Sequence, residues 1–246
     1  MAETESDLTL IGAWPSPFVL RARIALNFKN LQYVFHEEKF GTKSELLLKS
    51  NPVHKKVPVL IHGGKPICES LIIVEYIDEN WSSSGPFILP SDPYDRAIAR
   101  FWAAYVDEKG DLCALFICFD ERSHFFPSMK NIAASPDEEG KKAAVEQVMT
   151  GLSLLEKAHG EISKGKPFFG GDHIGYLDIA FGALLGWLRV TQNFSGLKLI
   201  DPESTPNLSH WAEKFSQDPA VSRVLPDTEK LSEFAKLIFS KFKAAQ

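Results

Sequence analysis

Two patterns of hydrophobic and polar positions divide the chain into two unlike parts. Up to about residue 81, short apolar runs of strand length alternate with segments of helical periodicity. From residue 94 onward, hydrophobic residues recur with helical spacing and no strand pattern stands out. The pattern therefore predicts a small α/β part followed by an all-helical part.

The first part is predicted to have the element order βαβ, then a helix, then ββα. Its strands are predicted at residues 8–12, 33–37, 57–61 and 66–68, and its helices at 17–29, 43–49 and 70–81. Because a helix connects the first two strands, we expect them to be parallel. The turn at 62–65, with two glycines, predicts an antiparallel hairpin.

Residues 82–93 mark the clearest break in the pattern, since they contain three prolines, a glycine and a run of serines. The apolar run Phe87-Ile88-Leu89 predicts that this linker is pinned to the surface. The predicted domains are therefore residues 1–81 and 94–246, joined by this linker.

The second part is predicted to be all helical. Its helices are predicted at residues 94–119, 137–162, 177–191, 207–215 and 227–242. The segment 177–191 is nearly all apolar, which is typical of a single helix buried in the centre of a domain.

The composition indicates a soluble protein of a reducing compartment. A net charge of −5 on 246 residues gives no bulk attraction to nucleic acid or to an anionic membrane. The cysteines, at 68, 113 and 118, have neither a zinc spacing nor the number that a disulfide framework needs. The N-terminal residues lack the features of a secretory signal, and the longest apolar run is too short to span a membrane. We therefore expect a cytoplasmic location.

The first chemical signal is the stretch Trp14-Pro15-Ser16-Pro17-Phe18, where a strand gives way to a helix. Ser16 is at the predicted N-cap and Pro17 is at the first helical position. A hydroxyl beside unpaired N–H groups and the positive end of a helix dipole suits an anion, including a thiolate. The alternative is that Ser16 only caps its helix.

Two further signals follow in the same predicted sheet. Val57-Pro58 is at the start of the third predicted strand. If the bond between them is cis, the backbone of Val57 is exposed and can pair with a bound peptide. The alternative is a trans proline as the first residue of an edge strand. Glu69-Ser70 begins the third helix, with Ser70 as predicted N-cap. This pair suits the zwitterionic end of an amino acid, or it is a plain capping pair.

Lys43, Lys55 and Lys56 are in loops that flank the same sheet face. They are either ligands of a second carboxylate or solvated surface charges. The two helix starts and the exposed backbone are all expected at one edge of the sheet.

Together these motifs resemble the cytosolic glutathione transferases, and in detail their plant tau class. The resemblance covers essentially the whole chain and rests on residues 14–18, 51–60, 68–70, 88–93, 99–102 and 175–180. It implies a thioredoxin-like N-terminal domain, an all-helical C-terminal domain and a homodimer. Glutathione would be the co-substrate, with no metal or redox cofactor.

The resemblance also assigns roles to residues that bind glutathione. Ser16 would donate a hydrogen bond to the sulfur. Lys43 and Lys56 would hold the glycyl carboxylate, and Val57, before the cis residue Pro58, would pair through its backbone. Glu69 and Ser70 would hold the γ-glutamyl end.

The second substrate requires an apolar wall. The candidates for this wall are Trp14, Phe18, Phe116, Phe119, Trp187, Leu188 and the segment 234–242. By resemblance, Trp14 and Trp187 face the apolar site, and Asp107 is near the cleft. Asp107 is alternatively a solvated helix acid.

The resemblance implies that a serine at position 16, in place of the catalytic cysteine of other classes, conjugates glutathione to apolar electrophiles, with hydroperoxide reduction as a side activity. This suits detoxification. The alternative function is a non-catalytic carrier of flavonoid-like or hormone-like ligands.

One departure from the family is Gly175, which stands where a serine or threonine usually precedes Asp178 by three residues.

Overall fold

The computed structural model describes residues 7–108 and 138–244. The predicted wall residues Phe116 and Phe119, and the predicted helix beyond Glu108, lie outside these ranges. Two of the three cysteines lie outside them as well.

A four-stranded mixed sheet forms the centre of the first part. Its strands are β1 (Leu8–Gly12), β2 (Val34–Glu37), β3 (Val59–His62) and β4 (Lys65–Cys68), in the order β2-β1-β3-β4. β1 and β2 are parallel and β3 and β4 form an antiparallel hairpin, so these two predicted pairings are confirmed. β3 is also antiparallel to β1, a pairing that was not predicted. β3 begins at Val59 and not at residue 57 as predicted.

Helices cover both faces of the sheet. They are α1 (Pro17–Phe28), α2 (Glu45–Ser50) and α3 (Ser70–Asn80). Successive residues of a strand point to opposite faces, so Leu10 packs in the main core with α1 and α3, whereas Ile11 packs against Leu47 of α2. This arrangement leaves α1 and α3 side by side on one face.

The second part is helical wherever the structure describes regular elements. It contains α4 (Pro93–Glu108), α5 (Glu138–Ile162), α6 (Tyr176–Gly182), α7 (Leu185–Ser195), α8 (Pro206–Gln217), α9 (Pro219–Ser222) and α10 (Thr228–Ala244). The short α9 was not predicted.

The prediction of one helix over 177–191 is wrong, because α6 ends at Gly182 and α7 begins at Leu185. At the junction the Leu184 N–H donates to the Phe181 carbonyl, three residues back, at 2.9 Å. The ring of Phe215 from α8 lies against Gly182, where a Cβ would be only 2.3 Å from it. The apolar run continues through the break, so hydrophobicity alone gives no signal of it.

Gly175 is the N-cap of α6, and the expected half of the capping box is present. The carboxylate of Asp178 accepts the Gly175 N–H at 2.8 Å. A Cβ on Gly175 would be 2.8 Å from the Cα of Gly170, so glycine allows the two backbones to approach closely.

Within 7–108 and 138–244, none of the helices combines the length and the apolar character needed to cross a membrane.

Candidate functional site

The sheet brings three chain segments to one edge. Ile11 pairs with Val59, and Val59 pairs with Cys68. The end of β1, the start of β3 and the end of β4 therefore lie side by side. From this edge the chain leads into α1 through Trp14-Pro15-Ser16 and into α3 through Glu69. The Val57–Pro58 peptide bond, directly before β3, is cis, which is the alternative that the resemblance implied.

A groove of about 930 Å³ runs along this edge. Its volume is in the range of small-molecule sites. The lining residues are Ala13, Trp14, Pro15, Glu37, Glu38, Lys39, Phe40, Gly41, Thr42, Lys43, Leu47, Val53, His54, Lys55, Lys56, Val57 and Phe234. The lysines Lys43, Lys55 and Lys56 and the backbone segment at Val57 therefore face the same groove.

Ser16 is the N-cap of α1, as predicted. Its Oγ accepts a hydrogen bond from the Val19 N–H at 3.3 Å, and Pro17 is the first helical residue. The residue is 3% exposed and is not itself among the groove-lining residues, although Trp14 and Pro15, directly before it, are. The hydroxyl oxygen serves the helix as an acceptor, while the O–H group is still a donor.

The backbone of Val57 suits pairing with an extended ligand. Within the described ranges, neither its N–H nor its carbonyl makes a hydrogen bond. The preceding carbonyl of Lys56 accepts from the Asn51 side chain at 3.0 Å, which holds this segment at the groove. The free polar groups therefore belong to the residue to which the resemblance assigns backbone pairing.

The prediction that Ser70 is the N-cap of α3 is wrong. Glu69 occupies that position with φ of 72°, in the region that disfavours side chains, and Ser70 is the first helical residue. The Ser70 hydroxyl is buried and accepts from Nη1 of Arg21 at 3.3 Å. Glu69 instead points outward, with its carboxylate 58% exposed and 3.9 Å from Nε2 of His54.

Arg21 is a buried residue that contacts the predicted site residue Ser70 and that the sequence did not single out. Its side chain is fully buried in α1 and donates to the Ala180 carbonyl at 3.0 and 2.7 Å. A signal for its burial is present in the sequence. Arg21 lies four residues after Pro17 and four before Ala25, so it shares the buried face of α1 with them.

Asp107 forms a bidentate ion pair with this arginine, at 2.6 and 3.1 Å. It is not among the groove-lining residues of the described chain, and it is not a solvated acid. The interpretation of Asp107 as a solvated acid is therefore wrong, whereas its place near the cleft stays a prediction. The guanidinium also lies 5.2 Å from the ring centroid of Phe18. Phe18 is half-buried against the core and is not among the residues that line the groove, so its role in the wall stays a prediction.

An aromatic wall closes one side of the groove. The rings of Trp14 and Phe40 lie 5.4 and 5.5 Å from that of Phe234 in α10. Trp14 and Phe234 are among the residues predicted for the wall and both line the groove, whereas Phe40 lines it without having been predicted. Phe40 is in a polar loop with no periodic pattern, so the sequence offers no signal for it.

Trp187 and Leu188 do not face the groove. Both are 2% exposed, and Trp187 packs with Val190, Leu231 and other residues between α7 and α10. Its indole N–H donates to the Pro15 carbonyl at 3.0 Å. The prediction that Trp187 contacts the second substrate is therefore wrong.

The described residues contain no group of acidic, histidine or cysteine side chains that could hold a metal ion. Cys68, at the end of β4, has its pKa raised by burial and by the neighbouring Glu69 carboxylate. It is therefore a poor nucleophile beside the groove.

Two family models match the chain. The N-terminal domain of glutathione S-transferase matches residues 6–79, and the C-terminal domain matches residues 137–214.

Individual relatives agree with this match over nearly the full length. Glutathione S-transferase U17 of Arabidopsis thaliana is 59% identical over 96% of this chain and 97% of its own. A tau-class glutathione S-transferase from mango is 62% identical, with a TM-score of 0.86 over 95% of this chain and 99% of its own. A rice transferase solved in complex with glutathione is 34% identical, with a TM-score of 0.82 over 98% and 99% of the two chains.

Proposed function

Since the chain belongs to the tau class of the glutathione S-transferase family, we propose that Ser16 activates glutathione for attack on an apolar electrophile. The observation that carries this proposal is the sheet edge. There, Val57 with its free backbone groups and the lysines line one volume of suitable size, and Trp14 and Pro15, which lead directly into the helix start at Ser16, line the same volume.

Each part of glutathione has a chemically matched partner in this arrangement. Val57, beside Pro58, pairs with the cysteinyl backbone, as one strand pairs with another. Lys43 and Lys56 attract the glycyl carboxylate. The exposed carboxylate of Glu69 pairs with the γ-glutamyl ammonium. Ser70 contributes its backbone N–H at the start of α3, because its hydroxyl already contacts Arg21.

Ser16 acts on the sulfur through its O–H group. Because the oxygen accepts from the Val19 N–H, the proton is free to point toward the groove. A free cysteine thiol has a pKa of about 8.5, and a hydrogen bond to the thiolate lowers that value. A decrease of two units corresponds to about 2.7 kcal/mol of stabilisation of the thiolate relative to the thiol.

The thiolate then forms a bond to an electrophilic carbon of the second substrate, and the leaving group departs with the electron pair. The rings of Trp14, Phe40 and Phe234 hold that substrate by apolar contact and stacking. A hydroperoxide is a second class of electrophile for the same thiolate. Glutathione sulfenic acid and an alcohol form first, and a second glutathione gives the disulfide and water.

The experiment compares Ser16→Ala with the wild-type enzyme by titrating the bound thiol through its ultraviolet absorbance. We expect the pKa of bound glutathione to rise by about one to two units in the variant. Turnover of a chlorodinitrobenzene-type electrophile should fall by at least about tenfold. Asp218→Ala, which removes the cap of α9, is the control for helix capping. An unchanged thiol pKa in Ser16→Ala overturns the proposal.

One observation favours the alternative of a non-catalytic carrier. Ser16 is 3% exposed and its oxygen already caps α1, while the aromatic wall is open to an apolar ligand. For a carrier, we expect tight binding of a flavonoid-like or hormone-like ligand without turnover of any electrophile. Competition between that ligand and the electrophile in a turnover assay separates the two functions.

We also propose that the protein is a homodimer formed through α3 and α4. These helices are joined by the ion pair of Glu75 and Arg100, and they expose Ile72 and Phe101 by 57% and 59%. Light scattering on Phe101→Glu should show monomers, whereas Leu154→Glu, on α5, should leave the dimer intact. A monomeric wild-type protein contradicts the proposal.

A further inference from the structure

The peptide group between Pro15 and Ser16 is held at both of its polar atoms. The Ser16 N–H donates to the Ala13 carbonyl at 3.0 Å. The Pro15 carbonyl accepts from Nε1 of Trp187, also at 3.0 Å. Because a peptide group is planar, holding these two atoms sets the direction in which the chain enters Ser16.

The remaining polar groups of Ser16 are held from α1. Its carbonyl accepts from the Leu20 N–H at 3.0 Å, and its Oγ accepts from the Val19 N–H at 3.3 Å. The bond from Trp187 differs from these local contacts, because it comes from the helical part, 172 residues away along the chain. It therefore ties the start of α1 to α7.

The indole of Trp187 is itself rigidly placed. It is 2% exposed in a cluster with Val190, Leu231, Ala235 and Ile238. A closely packed side chain has few rotamers, so the direction of its N–H group is set by this packing. The groove residues Trp14 and Phe234 pack against the same cluster.

We propose that Trp187 is a positioning residue for the conjugation reaction: its indole N–H fixes the Pro15–Ser16 peptide group and thereby aims the Ser16 hydroxyl at the glutathione sulfur. This inference rests on the proposed function, in which Ser16 lowers the pKa of that sulfur. Without the indole N–H, the buried Pro15 carbonyl loses its partner and the peptide group can rotate. A small displacement of a catalytic hydroxyl is enough to lower the rate strongly.

The test removes the N–H group and keeps the ring. Incorporation of 3-benzothienylalanine at position 187 replaces the indole by a benzothiophene of nearly the same shape. The N–H group is then replaced by a sulfur atom, which donates no hydrogen bond. Trp187→Phe is the second variant, and Ser16→Ala is measured beside them. In both variants at position 187, we expect the pKa of bound glutathione to rise by about half a unit to one unit.

In these variants, kcat and the KM for glutathione should change by different factors. We expect kcat to fall about three- to tenfold at a pH below the pKa of the bound thiol. The KM for glutathione should change less than about twofold, because residues other than Ser16 are proposed to hold its two ends. A residue that only stabilises the fold would leave the thiol pKa unchanged.

Val190→Ala is the matched control, because it removes buried side-chain volume from the same cluster and the same helix. We expect it to lower stability and to leave the thiol pKa at the wild-type value. Equal shifts in Val190→Ala and the Trp187 variants overturn the inference, since packing would then explain both.

The outcomes also separate the inference from the proposed function. If Ser16→Ala raises the thiol pKa and the variants at position 187 do not, the positioning role of Trp187 fails and the proposed function stands. If Ser16→Ala leaves the thiol pKa unchanged, both fail.

Discussion

The ammonium group of Lys29 lies 2.8 Å from the carboxylate of Asp78, and both side chains are at most 5% exposed. The same carboxylate accepts the N–H groups of Ile88 and Leu89, each at 2.9 Å. The Lys29 ammonium also donates to the Pro86 carbonyl at 2.9 Å. One buried ion pair therefore fastens the segment between α3 and α4 to the sheet part of the chain.

Lys29→Met should destabilise the protein by about 3 kcal/mol, because removal of one partner leaves a buried charge without its counterion. Asp78→Asn combined with Lys29→Met should recover part of this loss. Chemical denaturation measures both variants. A cost below about 1 kcal/mol for Lys29→Met would show that water reaches the Asp78 carboxylate.

Gly182→Ala should destabilise the junction of α6 and α7, because the new Cβ would be 2.3 Å from the ring of Phe215. That ring is fully buried and cannot move aside without disturbing its neighbours, so we expect a loss of about 1–3 kcal/mol. In Gly160→Ala of α5, the nearest atom is 3.9 Å away. This matched substitution should stabilise the protein by about 0.5–1 kcal/mol. Thermal unfolding of the two variants should therefore shift in opposite directions.

Asp178 should make stability fall as the pH rises toward neutrality. Its carboxylate accepts from three backbone N–H groups and from the Trp211 indole, yet complete burial raises its pKa to about 6. Because the folded pKa is above the unfolded value, the contribution is fully present below the unfolded pKa and is lost as pH rises through the folded one.

Between about pH 5 and pH 7 this loss should be about 1 kcal/mol. The measurement is the free energy of unfolding of the wild type minus that of Asp178→Asn across this range. A difference that is constant with pH would indicate that the four hydrogen bonds outweigh burial in setting this pKa.

His159 should have the opposite effect on stability. Burial lowers its pKa, and within the described residues its Nδ1 has no hydrogen-bond partner. The unfolded chain then binds a proton more readily, so stability should be lost as pH falls through the ordinary histidine value of about 6.5. His159→Phe should flatten the pH dependence of unfolding in this range. Equal slopes for variant and wild type would show that His159 takes up a proton inside the fold.

Lys43→Met and Lys56→Met should each raise the KM for glutathione by up to about fivefold, since an exposed ion pair contributes about 0.2–1 kcal/mol. Steady-state kinetics at low and high salt measures this effect, which should weaken as salt is added. Lys55→Met is the matched control from the same groove. If all three variants behave alike, the groove attracts glutathione by its general charge and not through specific partners.

The sequence by itself determined the elements whose signals are local. The turn at 62–65 and the apolar runs beside it encode the hairpin, and Ser16-Pro17 encodes the start of α1. These signals suffice because turn geometry and helix capping depend on neighbouring residues. Strand pairing then brings the two helix starts to one edge of the sheet.

Only the tertiary structure decided the contacts between residues far apart in the chain. Arg21 bonds the Ala180 carbonyl across 159 residues, and Trp187 bonds the Pro15 carbonyl across 172. Both acceptors are backbone carbonyls, which every residue has, so the residue types in the sequence do not reveal these contacts. A buried donor takes whichever acceptor the fold brings within reach, and that depends on how the helical part packs against the sheet.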